Sequence, residues 1–107
     1  MTNWLLPMLL LALLGGGVVP GLARAENSAE GRRIYVEVCA ACHTNGVGGA
    51  PRYGYRRDWE KRLPLGKNEL LRSVFKGKGA MPPKGGNPSV NDAQAVAATE
   101  YMLAGVK

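Results

Sequence analysis

Cys39-Ala40-Ala41-Cys42-His43 holds both cysteines and the one histidine of a 107-residue sequence. Three positions apart in a helical turn, two thiols can add across the two vinyl groups of one porphyrin edge. The histidine that follows is then aimed at the iron as its proximal ligand, with the sixth position left on the other face. Cys-x-x-Cys-His is the attachment signature of c-type haem. One covalent haem c is expected, with Cys39 and Cys42 as its thioethers and His43 on the iron.

Two other uses of a cysteine pair fit less well. A thioredoxin-like redox pair normally opens a helix after a strand. This pair closes a helical segment, and no strand precedes it. A structural zinc site needs four ligands, and no further cysteine or histidine exists to complete one.

The sixth ligand must come from downstream. Outside the N-terminal leader there are two methionines, Met81 and Met102. Met102 lies in a terminal helical pattern, where methionine commonly fills core. Met81 lies in Lys76-Gly77-Lys78-Gly79-Ala80-Met81-Pro82-Pro83-Lys84-Gly85-Gly86, whose glycines and prolines exclude regular helix or strand. The two prolines hold the backbone extended on its far side. Met81 is therefore the expected axial partner of His43, with a lysine or an open site as the remaining options. With both axial positions filled, peroxidase and gas-binding chemistry lose their coordination site, and outer-sphere transfer of single electrons between Fe(II) and Fe(III) remains. A thioether ligand and an apolar pocket both raise the potential.

Trp59 and Arg62 carry donors suited to a haem propionate. Against this stands a plainer reading, in which Trp59 is core and Arg62 a solvated face. Lys76, Lys78 and Lys84 flank the Met81 loop, and Arg52, Arg56, Arg57, Lys61 and Arg62 crowd the segment before it. Taken as a set around the haem edge, they point to weak, fast docking of acidic redox partners. An exported chain makes nucleic acid an unexpected partner for this basic surface.

The elements that position these groups can be placed from local signals. A first helix is expected from Ser28, as N-cap, to about Ala41, with Ile34, Tyr35 and Val38 on one face. Gly46 to Gly54 reads as a loop. Asp58 is expected to cap a short helix stopped by Pro64, and Asn68 another through Phe75. The last helix should begin at Asn91, with Gln94 completing a capping box, and run to Ala104 before Gly105.

The first quarter of the chain is different in kind. No charged residue occurs from Trp4 to Leu22, and an apolar run from Leu5 to Leu14 leads to Ala23-Arg24-Ala25, a small-x-small triplet. This is the pattern of a secretory signal peptide. Residues 1–25 are expected to be cleaved, leaving 26–107 as one domain in the periplasm with no stable membrane insertion. Loss of Arg24 with the leader lowers the formal charge from +6 to +5. So short a domain usually leans on a staple. A disulfide between Cys39 and Cys42 would tie no distant parts together.

The haem motif, Gly46-Val47-Gly48-Gly49-Ala50-Pro51, Asp58-Trp59 with Arg62, Gly77 to Gly86 and Tyr101-Met102 together resemble the bacterial class I cytochromes c, most closely the cytochrome c5 family. The similarity runs from about Gly31 to Met102. It implies an all-α fold, about four short helices wrapped round one covalently bound haem, with His43 and Met81 as axial ligands. It implies that the Pro51 carbonyl accepts the other ring N–H of His43, and that Gly31 and Tyr101 meet where the first and last helices cross. The function it implies is a monohaem electron carrier, a monomer and not an enzyme. A haem enzyme with an open sixth site, or a haem subunit of a larger oxidoreductase, is the alternative. Some relatives carry a second cysteine pair, which this chain lacks.

Overall fold

The computed structural model describes residues 16, 17 and 19–106; the apolar core of the expected leader lies outside the described residues. Helix α1 spans Pro20–Ile34, passes through one π-helical turn at Tyr35–Cys39, and continues as α2, Ala40–His43. After a 3₁₀ turn at Val47–Gly49 come α3 (Arg56–Trp59), a 3₁₀ turn at Leu63–Leu65, and α4 (Lys67–Lys76). A last 3₁₀ turn at Pro83–Gly86 precedes α5, Asp92–Ala104. No strand occurs among the described residues, and no helix among them is long and apolar enough to cross a membrane.

The first helix starts earlier than its local signals indicate. Pro20 suits a first helical position because its missing N–H would be unbonded there anyway. From Leu22 to Glu30 no breaker follows, so Ser28 lies inside the helix instead of capping it. Two later starts also shift. Asp58 sits within α3 because its carboxylate is engaged by Arg52. Gly66, at φ +87°, takes the N-cap of α4 in place of Asn68, and Pro64 sits inside a 3₁₀ turn. The capping box of α5 is present in full: Gln94 N–H donates to Asn91 Oδ1 at 2.8 Å, and Asn91 N–H to Gln94 Oε1 at 3.0 Å.

Helix α1 packs chiefly against α5. At their crossing a Cβ on Gly31 would lie 2.8 Å from the Ala97 carbonyl carbon and 3.1 Å from Tyr101 Cβ. The expected glycine–aromatic meeting is there, but the tighter neighbour is backbone. Small residues on α5 make the approach possible, with Ala95, Ala97 and Ala98 all buried.

Two apolar clusters flank the segment that carries the cysteines. Ile34, Val90, Ala95 and Ala98 form one, with Val38, Val74 and Phe75 packed against it. Tyr35, Trp59 and Met102 form the other, with Cys39, Tyr53 and Tyr101 around them. Cys39 touches both clusters.

Candidate functional site

The continuous run from α1 to α2 delivers Cys39, Cys42 and His43 together on one wall of a cleft of about 330 Å³. The π-helical turn adds a residue to the helical ladder just before Cys42, and such turns often re-aim side chains at functional sites. Val38, Val47, Ala50, Ala80, Met81 and Pro82 also line the cleft and make it largely apolar. The Val47–Gly49 turn and the Met81 loop approach closely, since a Cβ on Gly48 (φ +62°) would lie 2.9 Å from Ala80 Cβ.

His43 is buried, and its Nδ1 lies 2.7 Å from the Pro51 carbonyl oxygen. A carbonyl can only accept, so Nδ1 carries the proton and donates. The unprotonated Nε2 is then the nitrogen available to a metal. The chain segment that supplies this carbonyl is itself pinned. Asp58 accepts from the Arg52 backbone N–H at 3.0 Å and from its guanidinium at 2.7 and 3.2 Å. Trp59 Nε1 donates to the Arg52 carbonyl at 2.9 Å, and Tyr53 N–H donates to the His43 carbonyl at 2.7 Å.

Trp59, read from sequence either as a propionate donor or as core, gives its indole N–H to the Arg52 carbonyl and is not among the residues lining the cleft. It stacks beside His43 instead, ring centroids 6.3 Å apart, as part of the core. Residue types alone show that an indole can donate, but not that a carbonyl seven residues upstream reaches it first. The Asp58-Trp59 pair acts as a brace for Pro51, a role the sequence flagged only as a familiar pairing. Arg62 does line the cleft, and one guanidinium nitrogen donates to the Asp58 carbonyl at 2.6 Å.

Met81 sits in a tight turn in which Lys78 and Met81 exchange both backbone hydrogen bonds, each 2.9 Å. Gly77 (φ +81°) and Gly79 (φ +57°) allow that turn. Met102, by contrast, is buried against Tyr35 and Trp59 and does not line the cleft.

Burial raises the Cys39 thiol from an ordinary 9.0 to about 11. Thiol–disulfide exchange needs thiolate at working pH, so this position is poorly suited to it. Among the described residues no group of three or more Cys, His, Asp and Glu could hold a metal ion. Two thiols, an imidazole with one nitrogen occupied, and a thioether around one apolar cleft fit a covalently attached haem.

A family model described as "Cytochrome C oxidase, cbb3-type, subunit III" matches residues 26–102. Cytochrome c-555 of Chlorobaculum tepidum is 41% identical over 97 residues, covering 86% of this chain and 90% of its own length. Cytochrome c5 of Azotobacter vinelandii is 34% identical, covering 67% and 89%. A solved chain from a "Crystal structure of electron transfer complex of nitrite reductase with cytochrome c" is similar at TM-score 0.68 and 40% identity, covering 73% of this chain and 95% of that one. A match over most of the chain, relatives at this identity, and a haem-attachment motif set in a helical fold agree. The chain belongs to the class I bacterial cytochromes c: it carries one haem c and transfers single electrons as a carrier, not an enzyme.

Proposed function

We propose that Cys39 and Cys42 hold the haem as thioethers, that His43 and Met81 are its axial ligands, and that the mature protein works as a periplasmic shuttle for acidic redox partners. The observation that carries the ligand assignment is the His43 Nδ1–Pro51 contact in a cleft that Met81 also lines. Bound haem supplies the Fe(II)/Fe(III) couple. The chain's own residues fix the tautomer of the imidazole, bring a thioether to the same cleft, and surround it with largely apolar side chains. Arg62 would receive a propionate with the guanidinium nitrogens not given to Asp58.

Cleavage after Ala25 would leave Glu26 near the start of the first helix and return Ser28 to the position of an N-cap. The solved neighbour is a cytochrome c in an electron-transfer complex with nitrite reductase, which supports transient docking to a redox enzyme. The excess of basic residues supports an acidic face on that partner.

Production in a haem-maturing host followed by visible spectroscopy tests the assignment. The expected result is a low-spin haem with a methionine–iron charge-transfer band that Met81→Ala abolishes and Met102→Ala retains. A high-spin ferric spectrum in the unaltered protein, or a band that survives Met81→Ala, overturns it.

A further inference from the structure

Beside the haem cleft lies a second, more polar concavity of about 500 Å³. The two share Gly49, Ala50, Pro51 and Arg62, so they are neighbours across one short stretch of backbone. Arg52 and Asp58 line the second concavity but neutralise each other through their 2.7 Å ion pair. Arg57, Lys61 and Arg62 also line it, and none of them belongs to an ion pair among the described residues. Arg62 faces both cavities and is the natural partner of the haem's own carboxylates. Arg57 and Lys61 belong to the second one alone.

Two exposed apolar side chains adjoin residues that line the second concavity. Val47, on the wall of the haem cleft and next to Gly46 of the second concavity, is 56% exposed. Tyr55, 52% exposed, lies under the Arg52 guanidinium at 4.0 Å. Exposed aromatic and aliphatic groups bordered by arginine are the composition of a docking centre. On the Met81 side Lys84 is tied to Asp92 at 2.7 Å, which leaves Lys76 and Lys78, and Lys76 lines neither of these two cavities.

We infer that redox partners dock on this face. An acidic side chain of the partner enters the Arg57–Lys61 concavity, and its apolar rim rests on Val47, next to the haem cleft. This deepens the proposed role, because it says which of the basic residues meet the acidic partner. A carboxylate held there lies one loop away from the haem, which brings the partner's redox centre close to the exposed edge. The contact is small and mostly electrostatic, as a carrier that must leave quickly requires.

The test is stopped-flow electron transfer from the haem-loaded protein to a small acidic copper protein at low and high salt. Arg57→Gln and Lys61→Gln should each slow the low-salt rate by about threefold and converge on the unaltered protein at high salt. Val47→Ser should slow it at both. Lys76→Gln with Lys78→Gln, on the Met81 side, should change it less than either single cleft variant. Reduction by a neutral hydroquinone should be the same in the Arg57, Lys61 and Lys76/Lys78 variants, which reports an intact haem site. Equal or larger effects from the Met81-side pair, or unaltered rates in Arg57→Gln and Lys61→Gln, overturn the inference. A protein without the methionine–iron band fails the ligand assignment instead, and the two failures are read from different signals.

Discussion

Gly77→Ala offers a direct measure of how the Met81 side chain is held in place. Gly77 stands at φ +81°, ψ 160°, a region that only glycine occupies readily. A Cβ there would lie 2.8 Å from the Met81 carbonyl oxygen and 3.1 Å from Pro83 Cδ. The backbone conformation costs alanine about 1–3 kcal/mol. Moving the Met81 carbonyl also weakens its 2.9 Å bond from Lys78 N–H, worth about 1 kcal/mol. Together these place about 2–4 kcal/mol against the closed loop. That is below the usual stability of a small domain, so the loop opens before the fold does.

With Met81 as the sixth ligand, opening frees that position, and an external ligand then binds in proportion to the open fraction. Imidazole binding to the ferric protein should tighten by about 30- to 700-fold, at about 1.4 kcal/mol per decade. Gly79→Ala supplies the contrast within the same loop. Gly79 has φ +57° and nothing within 4 Å of an added Cβ, so only the left-handed penalty of about 1–2 kcal/mol applies. Its imidazole affinity should rise by only about 5- to 30-fold. Equal affinities for Gly77→Ala and the unaltered protein, or a larger effect from Gly79→Ala, would refute this account of the loop.

Three further outcomes follow from other parts of the fold. Gly31→Ala gains about 1 kcal/mol of helix propensity but meets the Ala97 backbone, an overpacking cost of about 3 kcal/mol, so thermal unfolding should fall by about 8–16 °C. Met102→Ala empties a buried site and should cost about 2–5 kcal/mol in a denaturant titration, with the haem spectrum unchanged. Hydrogen bonds from Arg52 hold Asp58 down from an ordinary 3.8 to about 2, so its contribution is complete above about pH 4 and is lost as pH falls toward 2. In Asp58→Asn the acid limb of the stability profile should be shallower over that window, as acid titrations followed by circular dichroism will show.

Features decided within a few residues could be read from sequence. The haem motif, the Asn91–Gln94 box and the end of α5 at Gly105 depend on neighbours one to four positions away, and the structure has each of them. Gly31 was legible for a different reason, because a glycine within a helix is costly unless something needs the space. What escaped depends on partners brought together by folding. Asp58 reads as a helix cap by type, yet Arg52 claims its carboxylate. Trp59 reads by type as either a propionate donor or core, and only the fold shows that a backbone carbonyl takes its N–H. Lys84 reads as a free docking charge, yet Asp92 of α5 neutralises it. The π-helical turn has no sequence signature comparable to a cap, and nothing local announced it.

The two halves of the site are held by different kinds of structure, and this bears on how a carrier can be tuned. His43 ends a continuous helical run, and its free ring N–H is fixed by a carbonyl that Asp58 and Trp59 brace from behind. Met81 rides a turn held by steric exclusion at Gly77 and by two backbone hydrogen bonds. With these two as ligands, changes behind Pro51 alter the hydrogen bond to the imidazole, and with it the donor strength at the metal, while the sixth position stays closed. Changes in the Gly77–Met81 turn alter how often that position opens, with the imidazole untouched. Potential and ligand exclusion are therefore adjustable from opposite sides. The chain keeps these levers apart because a carrier needs both: a potential matched to its partners, and a ligand set that stays in place as the electron comes and goes.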